Sequence, residues 1–196
     1  MKRVLLLFIA LMTVGNMAMA ADKNKKDAKQ PINDKEIEWI SFEEAEKRMQ
    51  KEPRKVWIDV YTDWCGWCKV MDKKTFTHPE VIKYINTKYY AVKFNAERTD
   101  SFSFAGKKWG FMPEYKANGL AVQLMNGQMS YPTSVVMVEN FQNPSAIPGY
   151  LAVPQIEPIL KYIAEDTYKT TKYEEYSKAF VPVWKEILMP TAPGAH

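Results

Sequence analysis

One stretch constrains this chain more than any other. Val56-Trp57-Ile58-Asp59-Val60-Tyr61 runs directly into Thr62-Asp63-Trp64-Cys65-Gly66-Trp67-Cys68-Lys69-Val70-Met71. The first six residues form a near-continuous apolar and β-branched run, as expected of a strand buried on both faces, and one charge, Asp59, interrupts it. The next ten read as a turn entering a helix. The two cysteines, the only two in 196 residues, therefore stand at a helix start. Residues three apart share one face of a helical turn, which puts their α-carbons within the ~4.4–6.8 Å that a disulfide requires. With a single such pair, no disulfide framework can staple the fold, and a hydrophobic core must hold it.

That placement has chemical consequences. A helix N-terminus offers unpaired N–H groups and the positive end of the macrodipole, and both stabilise a thiolate. Cys65 has the better access to those donors and is the expected nucleophile, with a thiol pKa lowered into roughly the 3.5–7.5 range. Cys68, one turn deeper, would resolve the mixed disulfide that Cys65 forms with a substrate. Such dithiol–disulfide exchange needs no metal and no organic cofactor beyond the Cys65–Cys68 disulfide itself. Other readings of the pair are weaker. A structural bridge closing so short a loop removes little unfolded-chain entropy. A zinc site needs four ligands, and only His78 and His196 remain as imidazoles. Haem attachment needs histidine at position 69, which is lysine.

Around this segment the chain alternates strands and helices. Ser41 and Glu44 form a capping-box signature, with Phe42, Ala45 and Met49 as a helical apolar stripe. Pro79 suits the first position of a further helix carrying Val81, Ile82 and Ile85 on one face. Tyr89 to Phe94 reads as a strand, and 97–114 as irregular, with Phe102, Phe104, Trp109 and Phe111 scattered through it. Pro113 to Met125 reads as a helix capped near Gly127, Ser134 to Val138 and Ala146 to Leu151 as strands, Pro154 to Ala164 as a helix, and 168–187 as a last amphipathic helix. After one leading helix the order is β-α-β-α-β-β-α, an α/β architecture around a central sheet.

The ends differ from this core. Met1-Lys2-Arg3, the apolar run Val4 to Met12 and the triplet Ala18-Met19-Ala20 read as a signal peptide over 1–20, cleaved after Ala20. This predicts an exported, periplasmic protein. Residues 21–37 alternate Lys with Asp and read as a charged, disordered linker. The 27 basic residues against 23 acidic leave a net charge of +4, which makes no electrostatic case for nucleic-acid binding. The chain is expected to act as a monomer.

The run Trp57 to Lys69, with the helix Ser41 to Met49 before it and Phe76…Pro79-Glu80-Val81 after it, resembles the thioredoxin-like family that includes the C-terminal periplasmic domain of the disulfide interchange protein DsbD. The resemblance covers about residues 38–166. It implies a thioredoxin fold, a central mixed β-sheet flanked by helices, with 167–196 an added C-terminal helix and tail. It also implies thiol:disulfide exchange with protein thiols or disulfides, in the reducing direction, with a membrane electron donor as partner. By the same resemblance, Asp59 matches the buried acid that assists proton transfer at the second cysteine. Lys93 matches the strand lysine near that acid, and Pro132 the cis-proline of the loop facing the disulfide, where the backbone of Tyr131 would pair with substrate. Trp64 matches the family and Gly66 belongs to the motif. Trp67 departs from the usual small residue or proline and puts an aromatic face beside the reactive sulfur, for substrate contact or for shielding. The spacing from Lys93 to Pro132, 39 residues, is about twice that of thioredoxin. The excess, about 97–116, is an insertion before the cis-proline loop that reads either as a lid or docking surface or as a cluster packed on the sheet edge. A different class of function also fits: a thioredoxin-fold binding module without redox turnover.

Overall fold

A computed structural model describes residues 33–186. The expected leader over 1–20, the part of the expected linker up to residue 32 and the chain from residue 187 lie outside the described residues. In chain order the elements are β1 (Trp39–Ile40), α1 (Phe42–Met49), β2 (Lys55–Tyr61), α2 (Gly66–Lys74), α3 (Pro79–Lys88), β3 (Tyr89–Asn95), β4 (Phe102–Phe104), β5 (Lys107–Trp109), β6 (Phe111–Met112), β7 (Ala117–Asn118), α4 (Gly119–Leu124), β8 (Thr133–Val138), β9 (Gln142–Pro148), α5 (Val153–Ala164) and α6 (Tyr173–Ala179).

Five strands make one mixed sheet in the order β1-β3-β2-β8-β9. β2 lies parallel to β3 and antiparallel to β8, and β9 closes the far edge antiparallel to β8. Side chains alternate across β2, as a strand's period of two requires. Val56, Ile58 and Val60 enter the layer built with α1 and α4. Trp57 enters the opposite layer, with Met71 of α2 and the apolar faces of α3 and α5. Asp59 lies on the Trp57 side, which aims its carboxylate into the layer that contains α2. The α/β sandwich with a central mixed sheet is the expected thioredoxin fold.

Capping chemistry sets several helix starts. Ser41 Oγ accepts the Glu44 amide at 3.1 Å, while the Glu44 carboxylate turns forward to Arg48, so only half of the capping box forms. Asn118 Oδ1 accepts the Leu120 amide at 3.0 Å. His78 precedes Pro79; its Nδ1 accepts the Glu80 amide at 3.3 Å and its Nε2 lies 2.9 Å from the Lys185 carbonyl.

The structure corrects four expectations. The stretch 97–114 is not irregular. It folds into two small antiparallel hairpins, β4–β5 and β6–β7, which carry Phe102, Phe104 and Trp109 into the core against Phe42. Phe111 and Tyr115 stay exposed, but the other three aromatics are buried, so most of the insertion's aromatic surface extends the core. Second, the helix expected from Pro113 begins at Gly119, because Pro113 and Glu114 lie in the turn of the second hairpin. At its other end Asn126, at φ 52°, takes the left-handed position before Gly127, and the Gly127 amide bonds back to the Val122 carbonyl. Third, the last strand ends at Pro148 and not at Leu151. Fourth, 168–187 is not one amphipathic helix. It is a 3-10 turn at Thr167–Lys169, the short α6, and an extended segment whose Trp184 is buried against α3 and α5.

Packing also starts upstream of Glu38. Ile37 is buried, and the Asn86 side-chain amide donates to the carbonyls of Asn33 and Glu36 at 2.7 and 2.8 Å.

Candidate active site

Cys65 is the N-cap of α2. Its backbone is extended (φ −70°, ψ 107°) and its Sγ accepts the Cys68 amide at 3.0 Å. That bond is one of the donor interactions a helix start provides, and it falls on the first cysteine, as the sequence predicts. The two cysteines are joined as a disulfide with α-carbons 5.3 Å apart. Both are almost fully buried, at 4% and 3% exposure. Gly66, between them, is exposed, and a Cβ added there would meet nothing within 4 Å. Neither space nor backbone conformation demands glycine at this position.

Beneath the helix, the parallel register of β2 and β3 sets Asp59 directly beside Lys93, and the antiparallel register with β8 sets it beside Ser134. Asp59 is 2% exposed. Its Oδ2 accepts from Lys93 Nζ at 3.1 Å, while Oδ1 is buried with no hydrogen-bond partner. Burial dominates its acidity. It pushes the carboxyl up from its ordinary value near 3.8 to about 6, against the pull of the Lys93 charge. Burial also works against the charge on Lys93, but Asp59 and Asp72 together hold its pKa above the ordinary lysine value. Lys93 donates to Asp72 of α2 as well, and its ammonium lies over the rings of Trp39 and Tyr61, each at 5.1 Å. The lysine therefore bridges the buried acid to a half-exposed one.

Aromatic side chains form the rim. Trp64 and Trp67 are 66% and 62% exposed. Trp64 stands edge-on to Tyr131 at 5.9 Å, and its indole N–H donates to Glu97 at 2.9 Å. Trp67 lies 5.5 Å from Tyr150. Tyr131 leads into Pro132 through a cis peptide bond. The Pro132 carbonyl accepts the Gly149 amide at 2.8 Å, which ties that loop to the end of β9. Burial, with the Glu97 charge adding to it, pushes the Tyr131 phenol up to about 12, so it stays a neutral hydroxyl.

The structure thus brings Asp59 and Lys93 together, and sets Trp64 beside Tyr131, the residue before Pro132. Asp72, Glu97, Asp63 and Tyr150 escaped the sequence reading. Asp72 carries one usable signal: it stands four residues after Cys68, on the same face of α2. Glu97 lies two residues past the end of β3, and Tyr150 just past β9, and neither carries a pattern that links it to a tryptophan elsewhere in the chain. Among the described residues, no group of three or more His, Cys, Asp or Glu side chains is arranged to hold a metal ion.

A mixed sheet with a disulfide at the N-cap of α2, over a buried acid–lysine pair, defines the class: a thioredoxin-fold protein with a CxxC disulfide. The chain belongs to the thioredoxin-like DsbH family, described as "Protein of unknown function, DUF255", which matches residues 25–179. Among solved structures, it is similar to a thioredoxin-fold protein from Helicobacter pylori, at 19% identity over 64% of this chain and 78% of that one, with a TM-score of 0.50. A structure titled "DsbH Oxidoreductase" matches at 12% identity over 74% and 96% of the two chains, with a TM-score of 0.49. The reduced C-terminal domain of DsbD from Neisseria meningitidis matches at 19% identity over 67% and 87%, with a TM-score of 0.36. No curated protein matches the chain.

Proposed function

We propose that this protein is a periplasmic thiol:disulfide oxidoreductase that reduces disulfides in exported proteins. The observation that carries the reading is Cys65 itself. Its sulfur sits at a helix N-cap, takes a backbone N–H, and lies in a segment that also holds a buried acid of raised pKa. In the reduced protein the Cys65 thiolate attacks one sulfur of a substrate disulfide. The Cys65–substrate bond forms, the substrate S–S bond breaks, and the leaving sulfur departs as a thiolate that takes a proton from water. Cys68 then passes its proton to the Asp59 carboxylate and attacks Cys65 Sγ, releasing the second substrate sulfur. Two electrons pass to the substrate and the Cys65–Cys68 disulfide remains. A second dithiol protein, a membrane electron donor, must reduce it before the next cycle. The Tyr131–Pro132 loop offers backbone to the substrate chain as a short strand addition.

Four measurements test this. Cys65→Ser abolishes insulin reduction, and Cys68→Ser accumulates substrate mixed disulfides visible on non-reducing gels. A Cys65→Ser variant of full activity refutes the mechanism, whereas a wild-type protein that reduces no insulin leaves the fold as a binding module. The potential of the pair, from the fraction of alkylated thiols across dithiothreitol buffers, falls near thioredoxin's roughly −270 mV for a reductant. A value near DsbA's roughly −120 mV reverses the direction. Export is tested by N-terminal sequencing of the protein recovered from the periplasmic fraction, which starts at Ala21 if the leader is removed as proposed.

A further inference from the structure

Cys65, Cys68 and Asp59 perform the exchange, and the surface around them sets which substrates reach it. Three observations bear on it. Trp67 holds a large apolar ring in water, and that ring packs on Tyr150, 5.5 Å away, so the two form one exposed aromatic surface. Cys65 and Cys68 are buried beside these exposed rings, so a substrate that reaches the sulfur must lay its own side chains against aromatic faces. Charge supplies the third. The exposed Asp63 accepts from the neutral Asn95 amide, and Glu97 from the Trp64 indole. No ion pair engages either carboxylate among the described residues. The rim around Trp64 is therefore aromatic and negative.

Resting on the exchange activity proposed above, we infer that Trp67 and Tyr150 select substrates whose attacked cysteine is neighboured by an aromatic or bulky aliphatic residue, and that Asp63 and Glu97 select against acidic residues in the same segment. The occupant is an unfolded or extended stretch of an exported protein, apolar and neutral or basic around its cysteine. Aromatic pairing gives the contact its preferred edge-on or offset geometry, and the dry contact strengthens with the apolar area covered. The carboxylates add Coulombic repulsion towards Asp or Glu that salt screens.

The experiment uses the full-length reduced protein and short peptides carrying one cysteine as its glutathione mixed disulfide, with Phe, Ser or Glu beside the cysteine. Oxidised glutathione is the probe without a peptide. The expected result is a kcat/KM for the Phe peptide about tenfold above the Ser peptide, equivalent to about 1.4 kcal/mol, with the Glu peptide slowest and its deficit shrinking in high salt. Trp67→Ala and Tyr150→Ala bring the Phe-to-Ser ratio towards one, and Trp67→Phe and Tyr150→Phe keep it. Because the ratio compares two peptides on one protein, a change in redox potential cancels from it. Reduction of all three peptides and of glutathione at equal rates overturns the specificity inference and leaves the oxidoreductase intact. No reduction of any probe overturns both.

Discussion

At the scale of single residues, Asp59 is a buried acid whose affinity for its proton differs between the folded and unfolded chain. Its carboxyl is raised to about 6 in the fold, so the folded protein binds that proton more tightly than the unfolded chain does. Stability contributed by the protonated acid is therefore complete below about pH 4 and declines as pH rises towards 6. Asp59→Asn removes this dependence. It is expected to stabilise the protein by about 3 kcal/mol at pH 7.5 in urea titrations, and by nothing measurable near pH 3.5. The same variant slows release of the Cys65 mixed disulfide, whose rate in the wild type rises with a midpoint near pH 6. The acid was legible in the sequence because a charge inside an apolar β-branched run is conspicuous. Its counterpart Asp72 was not, since the bridge through Lys93 exists only once β3 lies beside β2 and α2 covers both.

At the scale of elements, the legible and illegible parts divide by the range of the signal. The helix starts at Ser41 and Pro79 rest on side chains within three residues of the cap, and the structure shows both. The insertion defeated periodicity because its strands, Phe102–Phe104 and Lys107–Trp109, are three residues long and too short to show alternation. What stabilises them is the tertiary aromatic cluster around Phe42. Phe104 lies 4.6 Å from Phe42 and 4.8 Å from Phe141, with both separations taken between ring centres. Phe104→Ala is expected to cost ~3–4 kcal/mol in global stability. Chemical denaturation would then show a shifted midpoint with the slope unchanged. Were the hairpin a loosely attached lid, the loss would stay below ~1 kcal/mol, as for surface substitutions.

At the scale of the whole molecule, the chain is closed by a carboxylate. Glu157 of α5 is fully buried; it accepts from Lys161 at 2.6 Å and from the amides of Val183 and Trp184 at 2.8 Å each. Together with the contact between His78 and the Lys185 carbonyl, it holds the segment after α6 across α3 and α5. Glu157→Ala leaves the buried Trp184 amide and the more exposed Val183 and Lys161 donors without their acceptor, which costs ~2 kcal/mol, and hydrogen exchange at Val183 and Trp184 rises well before exchange in β2. If exchange at those amides stays as slow as in the wild type, Trp184 packing and not the carboxylate anchors the segment. A last helix over this region was expected from its aromatic and charged residues. A buried glutamate one element earlier selected an extended strap instead, and no local pattern in 168–187 encodes that.

The unequal distribution of the six tryptophans has an optical consequence. Trp57, Trp109 and Trp184 emit from dry surroundings, whereas Trp64 and Trp67 emit from water, each bonded in sequence to a cysteine of the disulfide. A disulfide quenches a neighbouring indole and a dithiol does so far less, so reduction brightens the long-wavelength part of the spectrum and leaves the short-wavelength part nearly still. Iodide, confined to water, extinguishes the two outer rings first. The protein thus reports its own oxidation state as light, without a dye, at each turn of the cycle.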